Sequence, residues 1–278
     1  MLKLAGARLL DNRDVHWVRA VLDTDPVTSC MVAARVETAG TDPWRLGGEL
    51  WGFGQRLEGL CFSGANLVPL RGDRVALRAF ANRALRRGRN CSSLVGPAGE
   101  VLALWRELMD DWGPCREVRA DQPLLTLAGA PAVPGDPLVR PVRPEELDRY
   151  LPAAVAMFTE EVGIDPTAGD GGIGYRARVA ELVGAGRAFA RFEGAEVVFK
   201  AEIGAMSSRV GQLQGVWVHP DRRGHGLGTA GTAAVVERLV GGFGRIASLY
   251  VNSYNHPARG AYRKLGFRQV GTFATVLF

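Results

Sequence analysis

Apolar and polar residues alternate along the second half of the chain in a regular series of strand-like and helix-like segments. Residues 188–203 form two alternating runs that meet at Gly194-Ala195, and a Gly-X pair in this place predicts a hairpin with a type II′ turn. Further strands are predicted at 138–142, 210–220 and 246–252, with a last hairpin at 268–278. Apolar residues on one face predict four helices, at 144–161, 174–186, 229–240 and 257–267.

From residue 138 onward the predicted order of elements is therefore β, α, α, β, β, β, α, β, α, β, β, which is typical of an α/β fold with a mixed sheet. A break in composition precedes it. The segment 129–146 carries five of the fifteen prolines of the chain, which excludes a continuous helix or central strand. We therefore expect a first domain over 1–128, a proline-rich linker over 129–137 and a second domain over 138–278.

The composition is that of a globular protein and argues against several other classes. Hydrophobic residues make up 47% and charged residues 23% of the chain, and no apolar run is long enough to span a bilayer. Arg8 and Asp11 interrupt the N-terminus, so no signal peptide is expected. The net charge is +5, but lysine occurs only three times, so 31 of the 34 basic residues are arginines, and these are scattered. We expect a cytoplasmic protein with neither nucleic acid nor membrane as a partner.

All four cysteines lie in the first half of the chain, at Cys30, Cys61, Cys91 and Cys115. They are widely spaced and form no C-x-x-C pair, so their pattern is not that of a metal site, and no metal is expected. We interpret them as buried, reduced thiols.

The stretch "RRGHGLGTAG", residues 222–231, is the most informative part of the chain. Its four glycines have no side chains to pack, so we interpret them as serving the backbone, at Gly224, Gly226, Gly228 and Gly231. Successive backbone N–H groups at the start of the following helix would form a concave site for a pyrophosphate. Arg222 and Arg223 would add charge-assisted donors.

Two other phosphate-binding motifs fit this stretch less well. Residues 226–231 match G-x-G-x-x-G, but a dinucleotide site needs an acidic residue about 20 positions further on, and the next strand ends without one. A P-loop needs G-K-[ST], and no lysine is present here. A plain glycine-rich turn before a helix stays an alternative.

Two signatures in the second half resemble those of the GNAT N-acetyltransferase superfamily. The segment "VWVHPDRRGHGLGTAG" resembles its acetyl-CoA-binding signature, R/Q-x-x-G-x-G/A after a strand that ends V-x-P. The segment "NHPARGAYRKLGF", residues 255–267, resembles its second signature, through Asn255, Ala258, Tyr262, Gly266 and Phe267. The resemblance covers residues 138–278 and implies the GNAT acyltransferase fold for this half.

The resemblance implies direct transfer of an acetyl group from acetyl-CoA, as co-substrate, to a primary amine. Tyr262 would protonate the departing thiolate as a general acid. The residues implied in binding acetyl-CoA are Val216, Trp217, Val218, Arg222, Arg223, Gly224, His225, Gly226, Leu227, Gly228, Thr229, Asn252 and Asn255. Strand 210–220 would have to splay from strand 246–252 to admit the pantetheine arm.

The general base does not follow from the sequence. Many family members carry a glutamate near the position of Gln214, and a glutamine cannot accept a proton at neutral pH. Glu160, Glu161 and Glu202 are candidates on the substrate side, each of which could equally be a solvated charge. His219 and His225 are interpreted as loop residues.

The first half resembles a degenerate copy of the second. Segments 57–70, 75–87 and 92–108 parallel, in the same order, the strand, helix and strand–helix unit around the glycine stretch. Only Gly72 lies where the second half has three glycines, and Trp105 falls where Tyr262 does, without a hydroxyl. We therefore expect a non-catalytic, GNAT-like α/β domain, with an unrelated α/β domain as the alternative.

The sequence thus predicts an acetyl-CoA-dependent N-acetyltransferase that transfers groups other than aminoacyl groups. Two alternatives stay open: a non-catalytic module that binds acyl-CoA as a sensor, and an acyl or aminoacyl transferase that uses another donor. The acceptor, whether a protein or a small-molecule amine, and the oligomeric state are not assigned.

Overall fold

The computed structural model describes residues 6–278, which form two compact units. Unit 1 contains the chain up to Leu125, together with Tyr250–Tyr254 and Gln269–Phe278, and unit 2 consists of Thr126–Leu249 and Asn255–Arg268. Two short segments from the C-terminal half therefore belong to unit 1. The division at 128 and 138 into a first domain, a linker and a second domain stays a prediction.

Strands and helices alternate along both units. The strands are β1 (Arg8–Leu9), β2 (Gly48–Phe53), β3 (Gly59–Gly64), β4 (Asn66–Arg71), β5 (Ser93–Pro97), β6 (Glu117–Leu127), β7 (Arg140–Pro141), β8 (Ala188–Glu193), β9 (Glu196–Met206), β10 (Val210–Val218), β11 (Ile246–Tyr250) and β12 (Arg268–Leu277). The helices are α1 (Val15–Thr24), α2 (Cys30–Ala39), α3 (Pro43–Leu46), α4 (Arg74–Arg87), α5 (Ala98–Trp112), α6 (Leu147–Val162), α7 (Ile173–Gly184), α8 (Leu227–Glu237) and α9 (His256–Leu265).

Unit 1 is a mixed sheet with helices on both faces. The strand order is β1-β2-β3-β4-β5-β12-β6. Strands β4 and β5 run parallel, with α4 as the crossover, whereas β2–β3, β3–β4 and β5–β12 are antiparallel. Residues from α4 and α5 form one buried cluster with alternate strand residues, and residues from α1 and α2 form a second cluster with the others. Successive strand residues point to opposite faces of the sheet, so each face has its own apolar core.

The strands of unit 2 pair as a mixed sheet in the order β11-β10-β9-β8-β7. Strands β10 and β11 are parallel, with α8 as the crossover, and the pairs β9–β10, β8–β9 and β7–β8 are antiparallel. Helices α6 and α7 share a buried cluster with β8, β9 and β10. On the other face Gly231 of α8 lies against Phe199 of β9. The unit is therefore a sheet between two helical layers.

The predicted order of elements agrees with the structure up to the last strand. Gly194 has a φ of +59° and Ala195 does not have a positive φ, which fits the predicted type II′ turn between β8 and β9. The predicted hairpin at 268–278 is wrong, because β12 is one continuous strand. Its residues from Phe273 to Leu277 pair in register with β5 of unit 1, so long-range pairing replaces the local turn.

The proline-rich segment 129–137 is packed onto unit 2. The Asp136 N–H donates to the carbonyl oxygen of Ala230 in α8 at 2.9 Å, and the Gly135 N–H donates to the Glu237 carboxylate at 2.8 Å. The buried carboxylate of Asp136 pairs with Arg191 of β8 at 2.9 Å. These contacts fix the segment to α8 and β8.

The four cysteines are free thiols, as expected, but only Cys30 and Cys61 are buried. Cys91 and Cys115 are partly exposed, so the expectation that all four are buried is wrong for these two. No helix within residues 6–278 is both long and apolar enough to cross a membrane.

The close approach of α8 to β9 depends on Gly231. A Cβ at this position would lie 2.7 Å from three ring atoms of Phe199, which is fully buried. Gly231 therefore serves packing, contrary to the expectation that it serves the backbone of the glycine stretch.

We predict that Gly231→Ala lowers the free energy of unfolding by about 1–3 kcal/mol, because the added methyl overpacks this contact. Gly260→Ala in α9 is the matched control, because a Cβ there meets no atom within 4 Å. Removing a helical glycine should stabilise by up to about 1 kcal/mol. Urea unfolding of both variants checks this, and equal effects would show that α8 can shift away from β9 at no cost.

Candidate functional site

The loop between β10 and α8 presents an open backbone. Gly224 and Gly226 have φ values of +80° and +81°, and a Cβ at either position would meet no atom within 4 Å. Within residues 6–278, the backbone N–H groups from Gly224 to Gly228 have no acceptor, whereas those of Thr229 and Ala230 donate to the carbonyl of Gly226 at 3.0 Å. Five consecutive donors are thus available to a ligand.

Helix α8 begins without a side-chain cap. Its N-cap is Gly226, and the first turn carries no acidic residue. The positive end of the helix dipole is therefore not neutralised, which favours an anion at this place. Of the residues that the sequence predicts to bind acetyl-CoA, those from Arg222 to Thr229 come together here.

Unit 1 differs at the corresponding place. Helix α4, which follows β4 as α8 follows β10, begins at Asp73, whose carboxylate accepts the N–H of Ala76 at 2.9 Å. A carboxylate at the N-cap fills one donor and repels other anions. The start of α4 is therefore closed to a phosphate group.

The two arginines of the loop are already paired. The Arg222 Nε donates to Glu193 at 3.0 Å. Arg223 donates to the carbonyl of Val218 at 3.0 Å and to the Glu160 carboxylate at 2.7 Å. Exposed pairs of this kind are worth less than about 1 kcal/mol, so the guanidinium groups can exchange their partners for a phosphate at small cost.

Strand β10 carries a β-bulge, and its pairing with β11 ends before that bulge. Across β9, Gln214 pairs with Glu202 and Trp217 pairs with Lys200, so β10 has one extra residue. The parallel pairing with β11 covers only Val210–Gln212. The edge of β10 that carries Val216, Trp217 and Val218 is therefore not paired with β11, as the prediction of a splayed strand required.

Beneath the bulge lies a buried polar cluster that the sequence interpretation missed, apart from Glu202. Lys200 is fully buried, and its Nζ lies 2.7 Å from Oε1 of Glu202. The Tyr150 hydroxyl donates to the same oxygen at 3.0 Å, and the Gln214 amide donates to Oε2 at 3.2 Å. The signal for this cluster was present, since Lys200 and Glu202 interrupt an apolar strand at two positions on one face.

Burial alone would raise the pKa of Glu202, but the charge of Lys200 and the hydrogen bonds from Lys200, Gln214 and Tyr150 lower it below its ordinary value. Both oxygens of this carboxylate are occupied, and it stays ionised at neutral pH. Glu202 is thus part of an ion pair in the sheet.

Gly215 joins the bulge to this cluster. Its φ is +56°, and a Cβ here would lie 2.8 Å from Cε of Met157 and 3.1 Å from Nζ of Lys200. Both the backbone conformation and the close approach of the ammonium group require glycine.

Tyr262, in α9, is nearly buried and packs against Phe267, with ring centroids 5.9 Å apart. Within residues 6–278 its hydroxyl has no hydrogen-bond partner, and it is not among the fully enclosed unpaired atoms. Burial, and secondly the negative charge of Glu161, raise the pKa of Tyr262. The hydroxyl is therefore protonated at neutral pH and available as a donor.

The two asparagines make contacts of their own. Asn255 is the N-cap of α9, and its side chain accepts the N–H of Ala258 at 3.2 Å. Asn252 belongs to unit 1, and its Oδ1 accepts the amide of Gln122 at 2.8 Å. In each case one side-chain oxygen is already used.

The structure separates the three candidate carboxylates. Glu160 accepts from Arg223 and from Trp217 Nε1, the latter at 3.2 Å. Glu161 acts electrostatically on Tyr262, and Glu202 lies beneath the bulge. His219 and His225 lie in the loop. No group of three or more metal-ligating side chains occurs among the described residues.

Each half of the chain matches one family model. Residues 146–267 match the family model described as "Acetyltransferase (GNAT) family", so the C-terminal half contains a GNAT acetyltransferase domain. Residues 48–150 match a "Domain of unknown function (DUF4081)". No curated protein matches the chain.

Solved structures with the same fold cover the whole chain. A protein from Drosophila melanogaster has a TM-score of 0.70 at 12% identity, with 99% of each chain covered. A GCN5-related N-acetyltransferase from Sphaerobacter thermophilus has a TM-score of 0.56 at 15% identity, with 99% of this chain and 96% of that chain covered. A tandem GNAT protein from the clavulanic acid biosynthesis pathway has a TM-score of 0.50 at 17% identity, with 97% of each chain covered. At these identities the likeness shows the fold, and it confirms the predicted GNAT fold and its tandem arrangement.

We predict that the ion pair beneath the bulge does not stabilise the fold. Glu202→Leu alone should lower the free energy of unfolding by about 3–5 kcal/mol, because it leaves a buried ammonium group without its partner. The double variant Lys200→Met/Glu202→Leu should be as stable as the unaltered protein or more so. Urea unfolding checks both, and a double variant as unstable as the single one would show that the pair is itself stabilising.

Proposed function

We propose that the protein is an acetyl-CoA-dependent N-acetyltransferase whose active site lies in unit 2. The observation that carries the proposal is the uncapped, glycine-opened start of α8 directly after a bulged strand that has diverged from its neighbour. Free backbone donors at a helix N-terminus suit a pyrophosphate, and an unpaired strand edge suits the amide groups of pantetheine. CoA carries both groups in one molecule.

In this proposal the N–H groups from Gly224 to Gly228 bind the pyrophosphate, with Arg222, Arg223 and Thr229 around them. The backbone of Val216, Trp217 and Val218 pairs with the pantetheine arm. Asn255 contributes an amide donor from the start of α9. The negative charge of acetyl-CoA is then stabilised by the helix dipole and by backbone N–H groups. Arginine side chains that exchange a carboxylate for a phosphate add to this.

The chemistry proposed is attack of the acceptor's amine nitrogen on the thioester carbon. The carbon–sulfur bond breaks as the carbon–nitrogen bond is completed, and the sulfur leaves as a thiolate that takes the proton of Tyr262. The Tyr262 hydroxyl is protonated at neutral pH and has no hydrogen-bond partner within residues 6–278, so its proton is available to the thiolate. The proton lost by the amine then restores the tyrosine by way of solvent.

Of the three candidate bases, we propose Glu161 because of its electrostatic link to Tyr262. Glu202 is unsuited, because both of its oxygens are occupied and its pKa is lowered. In this structure the Glu160 carboxylate accepts from the guanidinium of Arg223 and from Trp217 Nε1. Glu161 lies at the end of α6 and acts electrostatically on Tyr262, which links it to the proposed acid.

Unit 1 is proposed to be non-catalytic. Asp73 closes the start of α4. Trp105 is buried against Phe278, with ring centroids 5.6 Å apart, and has no hydroxyl to donate. One acetyl-CoA should therefore bind per chain.

The first test is calorimetric titration with acetyl-CoA. The unaltered protein should bind one equivalent, and Gly226→Glu should abolish binding, because a carboxylate would enter the anion site. Gly244→Glu is the matched control, because Gly244 is also exposed, has a φ of +64°, and a Cβ there would meet no atom within 4 Å. Unchanged affinity in Gly226→Glu would contradict the site, and two equivalents would contradict the assignment of unit 1.

The second test addresses the acid. Tyr262→Phe should lower turnover of acetyl-CoA with an amine panel by about a hundredfold and leave its affinity for acetyl-CoA unchanged. Tyr254→Phe, at an exposed tyrosine, is the control. Full turnover in Tyr262→Phe would remove Tyr262 as the acid. Binding without turnover in the unaltered protein would instead favour a non-catalytic sensor of acyl-CoA.

A further inference from the structure

The ion pair of Lys200 and Glu202 is unusual because both groups are withdrawn from water. Lys200 is 0% and Glu202 is 4% exposed. Removing two charges from water costs several kcal/mol per ion, and apolar residues of similar size usually stabilise a fold as well or better. Ionisable groups that are buried in spite of this cost occur often at functional sites.

The hydrogen bonds of the pair are unequal. Glu202 accepts from three donors, namely Lys200, Tyr150 and Gln214. Lys200 has three N–H groups, yet within residues 6–278 it donates to Glu202 alone, and its other close polar neighbour is the ring of Tyr150, 5.4 Å from the ammonium to the ring centroid. The positive charge is thus the less completely compensated of the two.

The ammonium group lies directly against the bulge. Its Nζ is 3.1 Å from the position that a Cβ of Gly215 would occupy. No bulk water separates the two, since Lys200 is fully buried, so the charge acts on the peptide groups around Gly215 through a medium of low dielectric constant. A buried positive charge at the bulge favours negative charge that develops beside it.

We propose that Lys200 is a positioning residue for acyl transfer, whose buried positive charge helps the backbone N–H groups of the bulge to stabilise the negative charge that develops on the thioester oxygen. The inference rests on the proposed function, since it requires the thioester to lie at the bulge. Glu202 holds the ammonium in place through the contact of 2.7 Å. The pair is then retained for reactivity and not for stability.

The test compares turnover and affinity in the double variant Lys200→Met/Glu202→Leu. The rate constant kcat should fall by about tenfold to a hundredfold, whereas the Kd for acetyl-CoA should stay unchanged and the midpoint of thermal unfolding should not fall. Arg78→Met/Glu107→Leu is the matched control, because it removes an ion pair of 3.0 Å from the surface of unit 1. The control should keep full turnover.

A single variant separates the roles of the two residues. Glu202→Gln keeps the ammonium and an oxygen to hold it, so it should lose at most a few-fold in kcat. A loss as large as that of the double variant would overturn the proposal and assign the effect to the carboxylate.

A spectroscopic readout does not depend on the acceptor. Infrared spectra of bound acetyl-CoA, isotopically labelled at the thioester carbon, should show a lower carbonyl stretching frequency in the unaltered protein than in the double variant. Equal frequencies, or full turnover in the double variant, would overturn the role of Lys200 and leave the proposed function standing. Failure of the unaltered protein to bind acetyl-CoA would overturn both.

Discussion

The bulge at Gly215 is the constraint on which the candidate site depends. A left-handed residue with no room for a Cβ inserts one extra position into β10, and the strand bends away from β11 after Gln212. The same bend exposes a strand edge, directs the chain into the glycine loop and leaves the bulge resting on the ammonium of Lys200. A single backbone conformation thus links the proposed donor site to the buried cluster, and these features cannot vary independently.

The candidate site in unit 2 and the corresponding place in unit 1 differ mainly in the residue at the start of the crossover helix. In both, a strand, a crossover helix and a parallel strand follow one another, and the parallel pairing is short, at Asn66–Leu67 in unit 1 and Val210–Gln212 in unit 2. The difference lies at the start of the helix, where Asp73 supplies its own carboxylate and Gly226 supplies none. The fold provides the donor-rich terminus, and the N-cap residue decides whether a ligand can use it.

Elements defined by neighbouring residues could be predicted from the sequence, as for the helices, the hairpin of β8 and β9 and the glycine stretch. The order of elements was predicted in this way, whereas the splayed strand was implied by the resemblance to the GNAT superfamily. The predictions that were wrong or missing concern contacts between residues that are far apart in the sequence. The straight course of β12 depends on pairing with β5, and the packing of Gly231 depends on Phe199. The cluster around Lys200 was missed because its members come from α6, β9 and β10, and only the structure brings them together.

The two arginines before the glycine stretch would supply only part of the binding energy for an anion at the proposed site. Arg222 and Arg223 are bound to carboxylates in the structure, so a phosphate gains from them only the difference between two anionic partners. The five backbone N–H groups from Gly224 to Gly228, within the described part of the chain, have no protein partner, so each exchanges only water for an anion. In the proposed site, binding of a pyrophosphate would therefore depend mainly on the conformations of Gly224 and Gly226, and the arginines would adjust its strength.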